Sequence, residues 1–196
     1  MRQVMTKSPW AIAAAVMLSG CISFGAKPPK QLLTLTPAQT VAPGAAQNVG
    51  AGEAITVLWP SVSTELATAR VPVQATPTAV AYLKDAQWVE APNRLFARLL
   101  GETIEARTGR PVLSGRQFAF DPGMRVSGQL LKFGVDAATS SAIVSFDAAV
   151  ARSGGNIQTR RFEARVPVSE IKPEPVGVAL NRAANQVAAE VADWIK

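Results

Sequence analysis

Histidine is missing from this sequence, and cysteine and tyrosine occur once each. The lack of histidine removes the commonest general base and the commonest metal ligand together. A lone cysteine, Cys21, cannot close an internal disulfide, so cysteine pairing says nothing about the redox compartment. Charge is sparse as well: Asp, Glu, Lys and Arg make up 17% of the 196 residues, with a formal net charge of +6. The one tight basic cluster, Arg160, Arg161 and Arg165, is interrupted by Glu163. Recognition of a phosphate backbone needs several aligned cations, so nucleic-acid binding is not expected. What remains is a globular composition, 48% hydrophobic, in a chain long enough for one domain with a sizeable core.

The N-terminus reads as an export signal. Arg2 and Lys7 give it positive charge, and Trp10 to Leu18 is a run of nine apolar residues. That run suits the apolar part of a signal peptide and falls well short of the ~20 residues needed to span a bilayer. It ends in Leu18-Ser19-Gly20-Cys21, a lipobox, in which small residues let the backbone into a signal peptidase and the cysteine thiol takes up diacylglycerol. The bland alternative is an ordinary secretory signal in which Cys21 is incidental. Residue 22 is Ile rather than Asp, which by the Gram-negative sorting pattern it resembles favours the periplasmic face of the outer membrane. Loss of Arg2 and Lys7 with the signal would leave side chains summing to +4. The expected organisation is a signal peptide over 1–20, an acylated tether with a short leading strand over 21–52, and a domain over 53–196.

The tether contains Pro28-Pro29, then Leu32 to Leu35 as a first short strand. Pro37 to Gly52 is uncharged and rich in Ala, Pro, Gly and Gln, and reads as a loop. Ile55, Val57 and Trp59 alternate before Pro60, giving a strand with Trp59 on its buried face. Arg70 to Gln74 and Thr78 to Leu83 predict two more strands, the first confined by Pro72 to an edge or a bulge. Leu83 to Trp88 reads as a turn. Pro92 to Thr108 predicts a helix: Leu95, Phe96, Leu99, Leu100 and Ile104 share one face, Pro92 suits the first turn, and Gly109 ends it.

A strand is expected at Phe118 to Asp121. Between Met124 and Val135 the alternation changes phase, which places a β-bulge near Leu130-Leu131. Ala142 to Val150 and Ile157 to Val168 alternate cleanly around Ser153-Gly154-Gly155-Asn156, a hairpin loop. A second helix runs from Pro175 to about Ile195, burying Leu180, Ala183, Ala184, Val187, Val191 and Trp194. The fold expected is thus a single α+β domain, mostly antiparallel sheet, with two amphipathic helices packed on it.

Little in this layout carries chemistry. Gly109, Gly115, Gly154 and Gly155 match no phosphate loop, and there is no G-x-S-x-G elbow. Asp121, Asp136 and Asp147 fall at strand ends or on outward positions, where solvated carboxylates are the expectation. Nothing in the sequence brings a serine and a lysine together. No catalytic residue, metal ligand or cofactor is therefore assigned. Trp88 has two readings: a cap on the helix–sheet core, or an exposed anchor for a partner, since aromatics dominate binding hot spots. Tyr82 and Leu83 could share such a surface.

The stretch Ala79 to Trp88, with its Y-x-x-x-x-x-W spacing from Tyr82 to Trp88, leads into Leu95-Phe96-Ala97-Arg98-Leu99-Leu100. Together with the lipobox, the I-x-V-x-x-P strand (Ile55, Val57, Pro60) and a C-terminal helix, it resembles the ABC-type transport auxiliary lipoproteins, which include the paraquat-inducible protein C-like lipoproteins. The likeness covers essentially all of residues 21–196. It implies partners: a periplasmic mammalian-cell-entry-domain protein with its ABC permease and ATPase, moving lipid between Gram-negative membranes. It brings no catalytic residues.

The expected function is therefore a non-enzymatic outer-membrane lipoprotein serving such a system, with Cys21 as the lipidation site and Tyr82, Leu83 and Trp88 as partner contacts. Two alternatives stand beside it: a periplasmic carrier holding an acyl chain between helix and sheet, and a lipoprotein activator of a cell-wall synthase. Association into a homo-oligomer is left open.

Overall fold

The computed structural model describes residues 31–45, 49–50, 52–114, 123–152 and 154–196. The signal peptide, Cys21 and the strand expected at Phe118 to Asp121 lie outside the described residues. The organising element is a long strand, Met124–Asp136. Among the described residues ten strands are formed: β1 (Gln31–Leu33), β2 (Ile55–Val57), β3 (Ser61–Val62), β4 (Pro72–Thr76), β5 (Ala79–Tyr82), β6 (Ala86–Trp88), β7 (Val112–Ser114), β8 (Met124–Asp136), β9 (Ser141–Arg152) and β10 (Ile157–Pro167). The helices are α1 (Pro92–Thr108) and α2 (Pro173–Trp194).

One edge of β8 pairs antiparallel with β9 along its whole length, and β10 continues the meander outside β9. The other edge of β8 is shared in succession by β2, β3 and β4, all parallel to it. Outside these lie β7, parallel to β2, and β5, antiparallel to β4. A separate parallel pair joins β1 to β6. The expected α+β domain with two helices is what forms, but its sheet is mixed. Among the described strands, only the long meander and the β4–β5 hairpin are antiparallel.

The change of phase in β8 is a bulge. Its register to β9 shifts between Leu130 and Lys132. The extra residue lets both Leu130 and Phe133 face the core, where both are buried, although three positions apart they would otherwise fall on opposite faces. Just before it, Gly128 lies so close to β9 that an added Cβ would sit 2.0 Å from the Asp147 carbonyl oxygen.

Both helices cover one face of the sheet. The α1 stripe Leu95, Phe96, Leu99, Leu100 and Ile104 is fully buried, and Gly109 ends the helix at φ 69° with its N–H donating to Glu105 O at 2.9 Å. In α2 the buried side is mostly alanine and valine, including Ala179, Ala183, Ala184 and Ala188. Such small side chains let the axis lie close against its neighbours.

The leading segment belongs to this body. β1 enters beside the start of α2, where Leu33 packs on Gly177, and the chain then runs along the helix as a strap. The Thr36 and Ala38 N–H groups donate to the side-chain oxygens of Asn181 and Asn185 at 2.8 and 2.7 Å, and Asn185 Nδ2 returns a bond to Thr36 O at 2.9 Å. Further along, Arg107 bridges Gln39 and Asp193, tying strap, α1 and α2 together.

Candidate docking surfaces

The three residues expected to meet a partner separate into two environments. Trp88, at the end of β6, is 1% exposed. Its ring lies 5.3 Å from Phe133, which continues to Phe96 at 6.5 Å and from there to Phe146 at 5.2 Å. This tilted and edge-to-face series is how aromatic rings pack in cores. The exposed-anchor reading of Trp88 is thereby corrected, and its reading as a core cap is the one the structure gives. The indole Nε1 has no hydrogen-bond partner among the described residues, and neither does the buried Thr56 hydroxyl.

Tyr82 and Leu83 do stand together on the surface, both half-buried. The Arg70 guanidinium lies 3.7 Å above the Tyr82 ring, a cation–π contact. The Leu83 N–H donates to Val71 O at 2.9 Å. The two side chains line an open cleft of about 310 Å³ with Lys84, Asp85, Ile171 and Lys172. Asp85 holds the turn there at φ 59°, a left-handed conformation that Asp tolerates better than most residues.

Trp59 is the converse of Trp88. Expected inside, it is 52% exposed, with the Arg94 guanidinium 4.7 Å from its ring. β2 ends at Val57, so the alternation that assigned Trp59 to the inner face no longer applies two residues on. It borders a second open groove of about 460 Å³ between α1 and β7, with Glu90, Arg98, Val112 and Leu113 in its walls. Trp194, also expected in the core, is half-buried against Phe162 at 5.5 Å.

The sheet face away from the helices is polar. Arg161 makes a two-pronged ion pair with Asp147 directly across from it on β9, at 2.6 and 2.7 Å. This hydrogen bonding holds the Asp147 carboxyl below its ordinary value and raises the guanidinium. Arg165 reaches both Glu163 and Asp136. Asp136 and Asp147 are thus each engaged by arginine, while Asp121 lies outside the described residues. Among the described residues no three His, Cys, Asp or Glu side chains converge as metal ligands would. No described helix is long and apolar enough to cross a membrane.

Small α+β domains of this construction are known from crystal structures. A Xanthomonas campestris protein of the DUF330 family superposes with a TM-score of 0.70 at 19% identity, covering 84% of this chain and 94% of the other. An uncharacterised protein gives 0.66 at 11% identity, covering 85% and 100%. Likenesses at such identities establish the fold. No curated protein matches the chain by sequence. The family is given by the sequence: residues 32–192 match the model for the ABC-type transport auxiliary lipoprotein component, and the chain belongs to that family.

Proposed function

We propose that this protein is a non-catalytic auxiliary of an ABC transport system of the mammalian-cell-entry type, acting in lipid movement between membranes. In this reading acylated Cys21 holds it at the periplasmic face of the outer membrane. The family match over residues 32–192 carries the proposal. The packing favours docking over carriage of an acyl chain. Between the helices and the sheet, where a lipid would have to lie, Trp88, Phe133, Phe96 and Phe146 fill the space, and the two grooves bordering Tyr82 and Trp59 are open at the surface. Of the three expected contact residues, Tyr82 and Leu83 remain available for docking and Trp88 does not.

The test is a Cys21→Ser variant compared with wild type in cells carrying the whole system. The variant is expected to lose lipid labelling, leave the membrane fraction and no longer co-purify with the mammalian-cell-entry protein. Unchanged membrane fractionation of the variant would remove the anchor. Wild-type protein that never co-purifies with that partner would remove the transport role.

A further inference from the structure

The first described strand opens at Gln31, whose Cα pairs with Ala86, immediately after Lys84-Asp85. The Tyr82–Leu83 cleft and the start of α2, Ile171-Lys172-Pro173, are therefore at the same end of the domain. Apolar exposure is concentrated there. Of eight exposed large hydrophobic side chains among the described residues, four belong to this end. Leu32 follows Gln31, Val80 is on β5, Ile171 lines the cleft, and Val178 adjoins the Gly177 on which Leu33 packs. Exposed apolar groups gathered in one region mark a contact surface, whereas scattered ones do not.

We infer that this end of the domain rests on the bilayer that holds Cys21, with Tyr82 and Ile171 at headgroup level and Lys84 and Lys172 beside the phosphates. The inference rests on the anchored reading above. Three physical points support it. Gln31 lies ten positions beyond Cys21, so even fully extended the tether reaches only about 33 Å. The 22 residues of α2 span about 33 Å as well, so the far end could meet the bilayer only with the tether stretched back along the whole domain. Tyrosine and lysine also suit the interface, one by its apolar ring and polar tip, the other by an alkyl stem that lets the ammonium reach headgroups. Asp85, Glu170 and Glu174 nearly balance the local cations, Glu170 pairing with Lys172 at 2.5 Å. Contact therefore draws more on apolar insertion than on net charge.

The experiment uses the full acylated chain in vesicles of phosphatidylethanolamine and phosphatidylglycerol. Acylation occupies the only native thiol, so a polarity-sensitive dye can be placed on Ile171→Cys or, at the opposite end where β10 begins, on Ile157→Cys. Both positions are exposed, which keeps folding intact. The dye at 171 should shift to the blue and be quenched several-fold more by brominated lipid than the dye at 157. Adding Val80→Glu should reverse much of that shift while the protein still floats with the vesicles. Flotation with equal quenching at both positions, or with more at 157, overturns this inference and leaves the anchor standing. Failure to float overturns both.

Discussion

Replacing Trp88 by alanine should be among the most damaging single changes in the domain. The side chain is 1% exposed and heads the aromatic series through Phe133. Truncating a buried Trp to Ala costs about 3–5 kcal/mol in lost transfer energy and cavity. At about 2–4 °C per kcal/mol for a domain of this size, the melting temperature should fall by about 6–20 °C. Phe is the informative companion. It keeps a ring against Phe133 but removes the Nε1 donor, which has no partner among the described residues. Relief of that desolvation, about 1–3 kcal/mol, opposes the packing lost with the smaller ring, so Trp88→Phe should lie within about 1.5 kcal/mol of wild type. Thermal melts followed by circular dichroism, with guanidinium titrations in parallel, read both variants. A Trp88→Ala protein melting within about 2 °C of wild type would behave as a surface substitution and refute the core assignment.

Three further outcomes are expected. Asn185→Ala removes both side-chain bonds to the strap at Thr36 and Ala38 and should cost about 1–3 kcal/mol, with faster hydrogen exchange over residues 31–39. Gly128→Ala drives a Cβ to 2.0 Å from the Asp147 carbonyl and 2.8 Å from the Phe146 ring; the strands must part, costing about 1–3 kcal/mol or more, readable as a lower midpoint in guanidinium. Asp147 has a folded-state pKa depressed below 3.8 by Arg161, so its contribution is present above the unfolded value and lost as the pH falls through the folded one. The melting difference between wild type and Asp147→Asn should therefore be small near neutrality, since the pair is exposed, and should vanish once the pH is well below 3.8.

Much of this fold was legible because its signals are local. Leu95 to Ile104 at helical spacing, with Pro92 before and Gly109 after, define α1 at the observed ends. The phase change at Leu130-Leu131 similarly announces the bulge in β8. What escaped depends on distant partners. β6 reads as a turn because three residues are too short a run for their alternation to stand out, and it becomes a strand only by pairing with β1, 55 positions earlier in register. β7 is missed for the same reason, being a short strand completed by β2. The parallel pairings along β8 are equally silent, since alternation reports which face a residue takes and not which strand lies beside it. The two tryptophans show both sides of this limit. Trp59 is misplaced by extending an alternation past the end of its strand, while Ala86 and Trp88, both buried around a half-buried Gln87, carried a weak period-2 signal within an apparent turn. Tyr82 and Leu83 could be singled out as surface candidates, but their place beside the start of β1 appears only once that strand is seen paired to β6.

The direction of β1 has a mechanical consequence. The strand runs parallel to β6 and onward along α2. A pull on the chain ahead of Gln31, as an anchor at Cys21 would exert, therefore acts along the strand axis, in shear. The β1–β6 hydrogen bonds, the Leu33 contact on Gly177 and the two asparagine clamps must stretch together rather than open one after another. A domain held by its first strand in this way would resist tension with the whole length of the attachment.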